Sequence, residues 1–229
     1  YASAIALGVT AAFKPFPLLF LPFVALVGGK NFFQQAKIAL VGLIVYLLII
    51  GPFLPSIGFR NSALLASHTD KTLFAQIPIS GAFAIPLFFL LYIFAVWICF
   101  ANPKRFGLAN WFLIPLLIFY SLVHFHVQWL VWLTPLLILL LVHSPKVFIP
   151  PVSVLLLSYI GMILLFEPSL NIDLFSPLVG YTTDFSITAL IDRFYSAKVL
   201  GNLIRSIFAA TSAYVLYQLM QNQRKSPTP

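Results

Sequence analysis

Apolar positions in this chain come in long blocks, and polar positions fall between the blocks rather than alternating within them. The first block, Ala2 to Gly28, is interrupted by Lys14-Pro15-Phe16-Pro17 and again at Pro22. Proline lacks the backbone N–H and clashes with the preceding helical turn. The pattern predicts a helix ending near Phe13, a break, and a second apolar piece from Leu18 to Gly28. Gly28-Gly29-Lys30-Asn31 reads as a loop, and a helix follows from about Ala36 to Leu54, closed by Gly51-Pro52 and Pro55. After a polar segment, Ser56 to Ile77, a span is predicted over Ile79 to Phe100, ended by Asn102-Pro103-Lys104-Arg105-Phe106-Gly107. Two shorter helices, Asn110 to about Val123 and Gln128 to Val142, lead to a turn at Ser144-Pro145-Lys146. Phe148 to Phe166 spans again, Glu167 to Lys198 is a long polar segment, and Val199 to Met220 is the last span.

Blocks of ~20 apolar residues have the length a helix needs to cross a ~30 Å hydrocarbon core. The residue-by-residue alternation of a membrane barrel is absent. The expected fold is all-α, a polytopic transmembrane helix bundle of about seven to eight segments. Residues 1–220 read as one transmembrane domain and 221–229 as a disordered cytoplasmic tail. Composition agrees: 61% of residues are hydrophobic and 8% charged, with a mean hydropathy of +1.02. A soluble domain carries about 25% charged residues.

The net charge of +8 would suggest nucleic acid in a soluble protein. Here Lys and Arg serve better as topology signals, and no aromatic-basic tract of the RNA-binding kind occurs. Lys30, Lys37, Lys104, Arg105, Lys146, Arg224 and Lys225 fall on one side of the predicted spans, which is assigned to the cytoplasm. Lys14, Arg60, Lys71, Arg193 and Lys198 fall on the other, together with the acids Asp70, Glu167, Asp173, Asp184 and Asp192. Arg205 falls inside the last span. The C-terminus is then cytoplasmic. The two long polar segments lie outside, where loops of more than about a dozen residues are usually functional or disordered.

Candidate chemistry gathers on that outer side. Lys14 sits at membrane depth, where an ionisable residue faces protein or a watery cavity; the bland alternative is that it snorkels to headgroups. The stretch His124 to Pro135, HFHVQWLVWLTP, sets two histidines and a glutamine among tryptophans. On an α-helix His124, Gln128 and Trp132 would share one face and His126 and Trp129 another. Histidine and glutamine donate hydrogen bonds to anions, and histidine also moves protons. Trp129 and Trp132 offer flat apolar faces to a sugar ring or prenyl chain. An aromatic belt at the membrane boundary is the competing explanation. Arg60 is suited to phosphate by its planar fork of donors. A metal is not expected, because zinc takes three or four ligands and Cys99 is the only cysteine. No cofactor is expected either. No acid stands in a pair or motif, so the catalytic residue is left unassigned.

Two stretches together carry a family resemblance. KPFPLLFLP resembles the Lys-x-x-Pro-Leu-apolar-x-x-Pro signature of GT-C superfamily membrane glycosyltransferases. HFHVQWLVWLTPLL resembles their later His-x-Gln-aromatic-Leu-x-Trp-x-x-Pro motif. The chain is most similar to bacterial polyprenyl-phosphate-sugar-dependent, mannosyltransferase-like proteins. The resemblance implies an inverting transfer of a hexose from a polyprenyl-phosphate donor to a lipid, glycan or protein acceptor at the extracytoplasmic face of a bacterial plasma membrane. It places Lys14, His124, His126 and Gln128 near the donor phosphate, to which Arg60 is added on its side-chain chemistry alone, with Trp129 and Trp132 lining the lipid or sugar groove. The family's catalytic acid belongs to an acidic pair in the first outer loop, and this sequence has no adjacent acidic pair. With Tyr1 in first position, the chain is expected to be the C-terminal part of a longer protein, lacking the catalytic acid and inactive by itself while it keeps part of the donor site. A transporter or flippase, and a polysaccharide ligase or polymerase, are the alternative functions; the first predicts internal repeats and the second one very large outer loop.

Overall fold

The computed structural model describes residues 1–64, 70–143, 145–166 and 186–225, which fold mainly as helices. The chain divides into two compact units, Tyr1–His124 and Phe125–Pro229. Among the described residues, three helices are long and apolar enough to cross a membrane: Phe32–Phe53, Lys146–Leu164 and Ala197–Gln221, of 22, 19 and 25 residues. Five further apolar helical segments have only 10–17 residues. Three is fewer than the seven to eight full spans the apolar blocks predict. The reason is local: prolines and one hairpin cut the blocks before they reach ~20 residues.

The first unit opens with α1, Ala2–Phe13, which stops at the Lys14 break. A 3-10 helix, Phe16–Phe20, leads into α2, Leu21–Gly28. Pro22 has no N–H to offer the Leu19 carbonyl at i+3, and the Tyr92 hydroxyl donates to that oxygen instead, at 3.0 Å. The next helix, α3, is Phe32–Ile50. Its start is fixed by reciprocal caps: Asn31 Oδ1 accepts from the Gln34 N–H, and Gln34 Oε1 accepts from the Lys30 N–H.

Helices α1 and α2 run in opposite directions on α3. Along α1, Ala4 and Gly8 meet α3 at Gly42, and Ala11 meets it at Tyr46 and Ile50. Along α2 the order reverses, with Leu21 at Gly42 and Gly28 at Ile38. The small residues are what permit this approach: a Cβ on Gly8 would fall against the Gly42 carbonyl oxygen, and one on Gly42 would lie 2.6 Å from Leu21 Cδ1.

One part of the all-α expectation is corrected. The predicted span at Ile79–Phe100 is not one helix. Gln76–Ser80 (β1) and Phe83–Pro86 (β2) form an antiparallel hairpin, with Ile77 opposite Ile85. Gly81, at φ +53, makes the turn, a conformation that costs other residues about 1–2 kcal/mol. The helix α4 is therefore only Leu87–Ala101. After Pro103–Arg105, α5 runs Leu108–Leu122. It lies antiparallel to the α2 segment through a column of rings: Phe16 against Phe119 (5.5 Å), Phe20 against Phe112 (4.5 Å) and Phe23 against Trp111 (5.8 Å).

The second unit begins with a 3-10 helix, Val127–Trp132, followed by α6, Thr134–His143, and α7, Pro145–Leu164. A short helix, α8 (Ile187–Asp192), precedes α9, Ala197–Lys225. The last helix thus takes in Gln221–Lys225, which the sequence pattern assigned to the tail. Helices α7 and α9 are antiparallel, with Gly161 against Ile204 and Gly201 near Leu165. Outward side chains are apolar, among them Leu48 at 71% exposure and Leu157 at 67%. Such a surface suits lipid.

Candidate functional site

In the first unit, three of the sequence candidates come to one end. Lys14 follows the last turn of α1 in extended conformation, with φ −156 and ψ 121. It is exposed, and partial desolvation holds its ammonium below the usual lysine range. Ala11, just before it in sequence, belongs to a buried cluster with Tyr46 and Ile50 that is covered by Ala12, Leu18, Phe59 and Leu64. Phe59 and Leu64 bracket the segment that holds Arg60. The phenyl ring of Phe16, two residues from Lys14, packs on Phe119 near the end of α5, and the chain leaves α5 through Val123 to an exposed His124. Lys14, Arg60 and His124 therefore share an end of this unit. Lys30, Lys104 and Arg105 stand at the other, where α2 ends and where α4 passes to α5.

Arg60 already has local work. Its Nη1 donates to the Leu54 carbonyl at 2.8 Å and the Pro55 carbonyl at 3.2 Å. Those carbonyls follow the end of α3, where prolines deprive the backbone of donors. The side chain is thus held in place by the loop it belongs to.

The second unit holds the rest, and the face-sharing expected of an α-helix forms only in part: His126 and Trp129 do pair, but Trp132 joins them. His126 is extended, with φ −73 and ψ 130, and Val127–Trp132 is a 3-10 helix. Residues three apart eclipse on a 3-10 helix. His126, Trp129 and Trp132 accordingly form a column: His126 to Trp129 is 5.6 Å between centroids, and Trp129 stacks on Trp132 at 5.7 Å with 10° between planes. Trp132 is on the His126 column rather than with His124 and Gln128, and Gln128 is exposed. Leu130 and Leu133, 3% and 2% exposed, anchor the segment.

One further residue belongs here. The Arg205 guanidinium lies over the Phe125 ring at 5.5 Å, so the cation inside the last span is held against the residue preceding His126. A lone arginine in an apolar helix was the sequence signal; its partner was not readable. Asp192 accepts from the Ala197 N–H at 2.7 Å and so caps the start of α9. Glu167, Asp173 and Asp184 lie outside the described residues, as do the side chains of Asp70 and Lys71. Among the described residues, no three His, Cys, Asp or Glu side chains cluster as metal ligands would.

Set against models of protein families, curated proteins and solved structures, the chain matches none.

Proposed function

We propose that this protein is a membrane glycosyltransferase of the GT-C kind, moving a hexose from a polyprenyl-phosphate donor to an acceptor at the extracytoplasmic face of a bacterial plasma membrane. The observation that carries this reading is the placement of Lys14, Arg60 and His124 at one end of the first unit. A polar set at one helix end is where the phosphate of a lipid-linked donor, confined to a headgroup layer, is met. Both motif stretches also fall where the helix is interrupted, at Lys14–Pro17 and His124–His126. Irregular backbone at membrane depth is tolerated where protein or a watery cavity surrounds it.

In this reading Lys14, Arg60 and His124 of the first unit bind the donor phosphate, and the motif resemblance gives His126 and Gln128 of the second unit a phosphate-binding role. The stacked Trp129 and Trp132 offer an apolar wall to the prenyl chain or the sugar. In the same reading the short apolar helices of each unit enter the bilayer without the length to cross it as the long ones do. The catalytic base is not assigned to any described residue. The test is transfer from radiolabelled polyprenyl-phosphate sugars in membranes carrying the full-length protein, compared with His126→Ala. Loss of transfer in the variant supports the assignment. If no donor is consumed by the unmodified protein, transport of a lipid-linked substrate takes its place, a reading favoured by the discontinuous α1–α2 segment.

A further inference from the structure

The hairpin β1–β2 is an unusual element for a chain of this composition, because its large apolar side chains face outward. Ile77, Ile79 and Phe83 are 49%, 63% and 75% exposed. No charged residue occurs between Lys71 and Lys104 in the sequence. The hairpin is also tied to a helix end. The Leu87 N–H, in the first turn of α4, donates to the Ala75 carbonyl at 2.9 Å. Its position along the unit follows from Phe88, which packs on Phe119 at the end shared by Lys14 and His124.

Two physical limits then locate it. Helix α4 has 15 residues, about 22 Å at 1.5 Å per residue, so it falls ~8 Å short of a ~30 Å hydrocarbon core. Its outward face, with Phe89, Leu90, Ile93, Phe94, Trp97 and Phe100 exposed, is wholly apolar and needs lipid against it. A two-stranded sheet, however, has outer edges whose N–H and C=O groups require water or headgroups, so it cannot enter the core. Pro78 and Pro86 remove two of those donors without removing the requirement.

We infer that the hairpin is a membrane-interface anchor: it lies at the headgroup–acyl boundary of the leaflet at the Lys14 end, with Ile77, Ile79, Phe83 and Ile85 in contact with lipid. It seats the N-terminal end of α4 at that boundary. The occupant of the exposed face is lipid, because the face continues the lipid-facing side of α4 without a charge between them. This inference rests on the membrane character of the chain and is independent of the transferase reading.

The experiment uses a Cys99→Ser background with Phe83→Cys and, separately, Ile79→Cys, each carrying a nitroxide label, in vesicles of phosphatidylcholine and phosphatidylglycerol. Collision with oxygen, which partitions into acyl chains, is compared with collision with a water-soluble nickel chelate. Oxygen accessibility several-fold above that of the chelate at both sites is the expected result. Chelate-dominated collision at both sites places the hairpin in water and overturns the inference. Low accessibility to both reagents means polypeptide covers the face, and overturns it equally. Two positions guard against distortion by either label.

Discussion

Gly8 and Gly42 decide how closely α1 approaches α3, and they do so by having nothing to offer. A methyl group on Gly8 would meet the Gly42 carbonyl oxygen, which is backbone and cannot rotate away. Overpacking of this kind costs about 1–3 kcal/mol. Gly8→Ala is therefore expected to lower the thermal midpoint in detergent, while Gly51→Ala, whose Cβ would meet nothing within 4 Å, leaves it unchanged. Equal midpoints for both variants would show that the helices do not meet there. Tyr92→Phe makes a smaller change by removing the hydroxyl that serves the Leu19 carbonyl. Interhelical hydrogen bonds in membranes average about 0.6 kcal/mol, so its midpoint should fall between those of the two glycine variants.

At the scale of elements, what the sequence made legible was decided by prolines and glycines. The break after Phe13 was readable because Pro15 and Pro17 leave the chain little choice. The hairpin at Gln76–Pro86 was not, because Ile79, Phe83 and Ile85 read as the start of an apolar helix when only composition is counted, and Ile77 as the end of a polar segment. Pro78, Gly81 and Pro86 held the contrary signal: a left-handed turn glycine between two helix-breaking prolines. The candidate cluster was legible in its residues but not in its geometry. The seven positions from His126 to Trp132 fit an α-helix as well as a 3-10 helix, yet it is the tighter helix that puts His126, Trp129 and Trp132 in one column. Arg205 was visible as an anomaly, and Phe125 as its partner was not, since eighty residues separate them. At the same scale, Asp192 holds the first turn of α9. Loss of an N-terminal cap costs about 1 kcal/mol, so Asp192→Ala should raise amide exchange at Ala197 to Leu200 about fivefold. Unchanged exchange would remove the carboxylate from that role.

For the whole molecule, each unit taken by itself separates its charges by end. In the first, Lys14 and Arg60 stand opposite Lys30, Lys104 and Arg105. In the second, Lys198 begins α9 and Lys146 begins the antiparallel α7, with Arg224 and Lys225 at the far end of α9. Lys and Arg near span ends orient membrane helices. In a Cys99→Ser background, a membrane-impermeant maleimide should label Asn61→Cys in intact cells and Asn102→Cys only after permeabilisation. Labelling of both from one side would break the proposed orientation.

The donor reading stands or falls on chemistry, and sugar transfer tests it most directly. Membranes carrying the protein are given radiolabelled polyprenyl-phosphate hexoses, and label in the acceptor fraction is followed for the unmodified protein, His126→Ala and Trp132→Ala. The full-length protein is expected to transfer label, with a loss of a hundredfold or so, on the order of 3 kcal/mol in barrier, for His126→Ala. Trp132→Ala should retain more activity, because it removes a wall and not a phosphate contact. Transfer undiminished in His126→Ala would contradict the site, and no consumption of any donor by the unmodified protein would contradict the activity itself.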